Sequence, residues 1–76
     1  MTDTKFKTIA ENMQEGYSRN IATFLTWYAS NTGTITSCMK RETVTKMLNE
    51  KLNQSENEKD HDTILDLLEQ VSRYYH

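Results

Sequence analysis

Tyr28-Ala-Ser-Asn-Thr-Gly-Thr-Ile-Thr-Ser-Cys-Met-Lys-Arg-Glu42 is the stretch on which the chain turns. Before it, an apolar-periodic segment ends in Phe24, Leu25, Trp27 and Tyr28. After it, a second begins with Val44, Met47, Leu48 and Leu52. The stretch is rich in threonine and serine, holds Gly33, one of two glycines, and closes on a carboxylate. Asn31-Thr-Gly-Thr34 has the composition of a turn, with Gly33 free to take a positive φ. Thr34 to Ser37 then alternates around Ile35 and allows a short extended segment. The β-branched residues oppose a helix only mildly, but together these signals predict a loop over 30–39 between two helices.

Working outward, residues 4–29 read as one long helix. Phe6, Ile9, Met13, Tyr17, Ile21, Phe24, Leu25 and Tyr28 recur at spacings of three and four. Asp3 or Thr4 supplies an N-terminal cap. The chain has no proline to force a break, but a mid-helix glycine costs about 1 kcal/mol relative to alanine. Gly16 therefore admits a second reading, a short leader helix followed by a main helix from near Tyr17.

Residues 40–52 form the next predicted helix, with Val44, Met47, Leu48 and Leu52 on its apolar stripe. Lys40, Arg41, Lys46 and Lys51 face water with Glu42 and Glu50. Asn53 to His61 contains no large apolar residue and reads as a solvated linker. Within it, Ser55-Glu-Asn-Glu58 fits a capping box that would start the following helix early; otherwise Asp60 or Asp62 caps it. The last helix, 62–75, carries Ile64, Leu67, Leu68, Val71 and Tyr74 or Tyr75 on one stripe, widened by Leu65. Asp60, Asp62 and Asp66 near its start and Arg73 and His76 near its end match the helix dipole. The expected fold is all-α: a single helical domain over 1–76, with the long first helix packed against the other two.

Composition narrows the function. Seventy-six residues give a high ratio of surface to core. Small chains usually add a disulfide, a metal or a partner. Cys38 is the only cysteine, so no internal disulfide can form; a half-buried structural role and a reduced, cytoplasmic setting are expected. The net charge of −2 does not advertise nucleic acid. No apolar run reaches the length of a membrane span, and the N-terminus has no apolar signal region. The Asn-x-Ser sequon at Asn53 has no meaning without export.

Chemistry-bearing patterns are sparse. Cys38 meets His61 only through tertiary accident, so no activated nucleophile is expected. The acids are scattered along solvated faces rather than paired. Cys38, His61 and His76 are too few and too dispersed for structural zinc, and two glycines cannot build a phosphate-cradling loop. Lys40, Arg41, Lys46 and Lys51 form the single basic cluster and would carry any contact with DNA. A helix-turn-helix needs a shorter linker and a basic recognition helix, whereas Asp66 and Glu69 lie on the last helix. A ribbon-helix-helix, with Thr34 to Met39 as its strand, meets the same objection.

Residues 17–52 resemble the first, variant hand of the calcyclin and calgranulin family of small dimeric EF-hand proteins. Tyr28-Ala29, Gly33 and Lys40-Arg-Glu42 fall at the spacings of that hand, although Thr43 and Cys38 depart from its usual aliphatic residues. The resemblance implies a calcium ion held by the backbone carbonyls of Ala29, Thr32, Thr34 and Ser37, with both carboxylate oxygens supplied by Glu42. A hard cation needs about six to eight such oxygens.

The residues alone favour another function: a non-enzymatic, protein-binding regulatory or adaptor module, acting as a homodimer or on a larger partner, with no cofactor. Three apolar stripes share a very small chain, and aromatics and methionines suit adaptable interfaces. Trp27 lies beside the main stripe, and Tyr74 and Tyr75 end the chain. These three are the expected contacts.

Overall fold

The structure, a computed structural model, describes residues 7–75. Five α-helices and no strand occur among them: α1 (Ile9–Gln14), α2 (Arg19–Ser30), α3 (Thr32–Cys38), α4 (Arg41–Asn53) and α5 (Glu58–Tyr75). The all-α expectation holds, while the expected long helix is two and the expected loop is a third. The predicted cap at Asp3 or Thr4, Phe6 and His76 lie outside the described residues.

The first difference comes from Gly16. Its φ of +112° is a backbone conformation that only glycine takes without strain. Thr8 starts α1 with a reciprocal capping box to Glu11, and Gly16 ends it by turning the chain. Ser18 then caps α2, its hydroxyl accepting from the Ile21 N–H. The short leader helix is thus the reading that holds.

The break also turns α1 about its axis. Asn12 faces inward, 6 % exposed, donating to the Thr26 hydroxyl at 3.1 Å. Ile9 and Met13, expected on the buried stripe, face outward at 38 % and 43 % exposure.

The second difference lies at residues 30–39. Gly33 does not take a positive φ; the turn is made by Asn31 alone, with φ −120° and ψ 14°. Helix α3 forms because Ile35, 2 % exposed, is drawn into the core, and packing outweighs a weak propensity. The strand required by a ribbon-helix-helix is absent, since Thr34 to Cys38 is helical.

Helix α4 runs along α5, and α1 folds back on α2. Ile21, Ile35, Val44, Leu48 and Ile64 are at most 2 % exposed and form the centre of the core. Each contributes about 1.5–3 kcal/mol by leaving water. Half-buried Tyr17, Leu25, Met39, Met47, Leu52 and Leu68 pack around them. In Cα positions the molecule measures 33 × 33 × 16 Å, about two packed helices thick.

Helix α5 begins at Glu58, so the expected linker is shorter. Its cap is Asn57, whose side-chain oxygen accepts the Asp60 N–H at 2.9 Å. Asp60, one of the alternative caps expected beside the Ser55 box and Asp62, is instead fully buried. Its two carboxylate oxygens accept the backbone N–H groups of Ser18 and Glu56, each at 3.0 Å. Asn57 also donates to the Gly16 carbonyl at 3.1 Å. One acidic side chain and one amide thereby join the α1–α2 turn to the start of α5.

Candidate functional site

A groove of about 520 Å³ opens where the end of α2, helix α3 and the second half of α5 meet. Tyr28, Ile35, Leu67 and Val71 line it, with Tyr74 and Tyr75 at its α5 side, and no lining residue carries a charge. A second hollow of about 300 Å³ shares Tyr28, Ala29 and Leu67, so the depression continues along α2 towards Tyr17. Burial, and then the neighbouring Tyr75 phenol, hold the Tyr28 phenol above the ordinary tyrosine range.

The groove adjoins a long stretch of chain that carries no charge of its own. From Asn20 to Met39 there is no Asp, Glu, Lys, Arg or His, although 26 % of the whole chain is Asp, Glu, Lys or Arg. The stretch covers α2 beyond Arg19 and all of α3. Thr23, Trp27, Ala29, Ser30, Thr32, Gly33, Thr34, Ser37 and Cys38 are exposed along it. Four of its hydroxyls turn back on the carbonyl four residues earlier. Thr23 donates to the Arg19 carbonyl at 2.8 Å, Thr32 to Tyr28 at 2.8 Å, Thr36 to Thr32 at 2.9 Å and Ser37 to Gly33 at 2.7 Å. Such back-bonding engages the donors internally and leaves a surface less polar than its composition suggests.

The three expected aromatic contacts separate. Tyr74 is 63 % exposed at the groove. Trp27 is 42 % exposed and leans on Phe24 at 5.9 Å between ring centroids; it does not line the groove. Tyr75 is half-buried against the core, and its hydroxyl donates to the Met39 carbonyl at 2.9 Å and towards Ile35 at 3.3 Å. It closes the C-terminal end of α3 and supports the groove from within.

The calcium ligands implied by the EF-hand resemblance do not converge. Ala29 belongs to α2, Thr32, Thr34 and Ser37 to α3, and Glu42 to the first turn of α4. Carbonyls within a helix all point along its axis towards the C-terminus, so they cannot surround one point. Those of Ala29, Thr32 and Thr34 also accept side-chain hydroxyls of their own segment.

Of the basic residues, Arg41 and Lys46 line one hollow on α4, interleaved there with Glu42 and Glu50. Lys40 and Arg41 begin α4, and Lys46 stands one turn from Glu42 and from Glu50. Lys51 is turned towards α2, its ammonium 5.6 Å from the Phe24 ring centre and donating to Asn20 at 3.3 Å. Cys38 is exposed rather than half-buried, with the Ser37 hydroxyl 3.7 Å from its sulfur. Among the described residues no three of His, Cys, Asp and Glu gather as metal ligands, and no helix is long and apolar enough to cross a membrane.

The uncharged run was visible in the amino-acid order, as an interruption of charge over twenty consecutive positions. Apolar periodicity does not reveal it, because half of its residues are polar but neutral. Compared with protein-family models, with curated proteins and with solved structures, the chain matches none.

Proposed function

We propose that this chain is a small, non-enzymatic protein-binding module whose contact surface is the uncharged face of α2 and α3, extended by the adjoining groove and Tyr74. The observation that carries the reading is the absence of charge from Asn20 to Met39. Centres of protein interfaces are depleted in charged residues and enriched in Trp and Tyr, and this face presents Trp27 and Tyr74. Helix α3 carries no ion to desolvate, and the hydroxyls of Thr23, Thr32, Thr36 and Ser37 already donate to backbone carbonyls. Helix α4 makes the contrast, since Arg41, Glu42, Lys46 and Glu50 are all exposed.

A photo-crosslinking amino acid placed singly at Thr34 and at Asn49 tests the proposal in living cells. Protein adducts are expected from position 34 and not from position 49. Equal yields from both positions, or adducts from position 49 alone, would contradict it.

A further inference from the structure

We infer that α1 is a detachable strap, hinged at Gly16, which when closed walls off one end of the groove. The inference goes beyond the reading above, because the opening is a property of the chain itself and its test involves no partner.

A helix is ordinarily held to its domain by an apolar face, and α1 is not. Of residues 7–16 only Asn12 is buried; every other one is exposed. None of them belongs to the hydrophobic core or to the half-buried apolar residues packed around it. Ile9 and Met13 face water. The 6 residues of α1 are also far short of the length, about 12–15, at which an isolated helix becomes even marginal in water. Its attachment is polar instead. The Asn12 amide donates to the Thr26 hydroxyl at 3.1 Å, and that hydroxyl donates to the Lys7 carbonyl at 3.0 Å. The ion pair of Lys7 with Glu15 lies within the segment, so it does not tie α1 to the rest.

The hinge is fixed on its far side. The Gly16 carbonyl accepts the Asn57 amide at 3.1 Å, and the Ser18 N–H is held by Asp60 at 3.0 Å. Gly16 itself, at φ +112°, can leave and re-enter this conformation without the steric barrier of a Cβ. A backbone bond from the Tyr17 N–H to the Asn12 carbonyl, at 3.3 Å, crosses the hinge and opens with it. Rotation at Gly16 therefore moves the residues before it and leaves the junction with α5 in place. What α1 covers gives the motion its consequence. The hollow of about 300 Å³ has Lys7, Asn12 and Glu15 on one wall and Leu25, Tyr28 and Leu67 on the other. With α1 swung away these last three face water, and the hollow merges with the larger groove, which shares Tyr28 and Leu67. The groove is short with the strap closed and long with it open.

Native-state hydrogen exchange on the full chain tests the strap. The Asn12 and Glu15 amides, bonded to the Thr8 and Glu11 carbonyls at 3.0 and 3.1 Å, should exchange together and well before those of Leu48 and Ile64. Their exchange should also respond less steeply to urea, because little surface opens. Thr26→Val keeps the shape of a residue on α2 while removing both attachments, and should accelerate the two α1 amides about 5–30-fold. A merely fraying helix end would ignore a change on α2. In the Cys38→Ser background, labelling of Leu25→Cys by a bulky maleimide should rise by the same factor when Thr26→Val is added. Exchange of Asn12 and Glu15 only in step with Leu48 and Ile64, or unmoved by Thr26→Val, would overturn the strap. Faster exchange with unchanged labelling would overturn its cover of the groove.

Discussion

The Asp60 carboxylate accepts the backbone N–H of Ser18 at 3.0 Å, joining residues 42 positions apart. Its other oxygen takes the Glu56 N–H, and the side chain is fully buried. Ser18 caps α2 and Glu56 lies just before α5, so one carboxylate satisfies a backbone donor at the start of each helix. This small polar cluster ties the α1–α2 turn to the start of α5.

Asp60→Ala should therefore be the most damaging single polar substitution among the described residues. Leaving two partly buried N–H groups without this acceptor costs about 1–3 kcal/mol, against about 4–11 kcal/mol of total stability for a chain of this length. Asp60→Asn retains one acceptor and should cost less. Urea denaturation followed by circular dichroism measures both. An Asp60→Ala midpoint equal to the native one would remove the cluster from the account.

The two glycines should respond to alanine with opposite signs. At Gly16, with φ of +112°, a Cβ is strained and would stand 3.3 Å from the Lys59 Cδ. The side chain of Lys59 can yield, but the backbone cannot, and Gly16→Ala should lose about 1–3 kcal/mol. Gly33 sits in a helix with open space around it. Gly33→Ala should gain about 0.5–1 kcal/mol. Thermal melts of the two variants supply the comparison. Destabilisation by Gly33→Ala would mean that residues 32–38 are a turn, as their composition first suggests.

These glycines show where sequence reading succeeds and where it fails. Helix α4 and the body of α5 were legible because Val44, Leu48, Ile64 and Val71 repeat at helical spacing and are all buried. Gly33 looked like a turn because Asn and Thr surround it; what makes it helical is the burial of Ile35, a tertiary effect that local propensity does not contain. Asp60 is one of several cap positions the composition offers, yet it stands four residues before Ile64 on the same stripe. The period that places Ile64 in the core places Asp60 there too. Ile9 and Met13 follow the right period but the wrong orientation, because the turn at Gly16 is invisible to a count of threes and fours.

Alkaline pH should expose the role of Tyr28. Its phenol is held above the ordinary range by burial, so the folded state keeps its proton longer than the unfolded chain does. Stability from this group is complete below the ordinary tyrosine value of about 10 and declines as pH rises through the raised value. Phenolate absorbance should show one tyrosine titrating late, and Tyr28→Phe should remove that component. If the late component survives in Tyr28→Phe, the groove wall is not where the structure puts it.

The central claim is that the charge-free face of α2 and α3 is the surface this chain associates through. Photo-crosslinking residues placed singly along the chain in living cells map that surface directly. The account predicts protein adducts concentrated between Asn20 and Met39 and at Tyr74, with Glu42 to Asn53 giving none. Adducts centred on Lys40, Arg41 and Lys46, or none from α2 and α3, would contradict it.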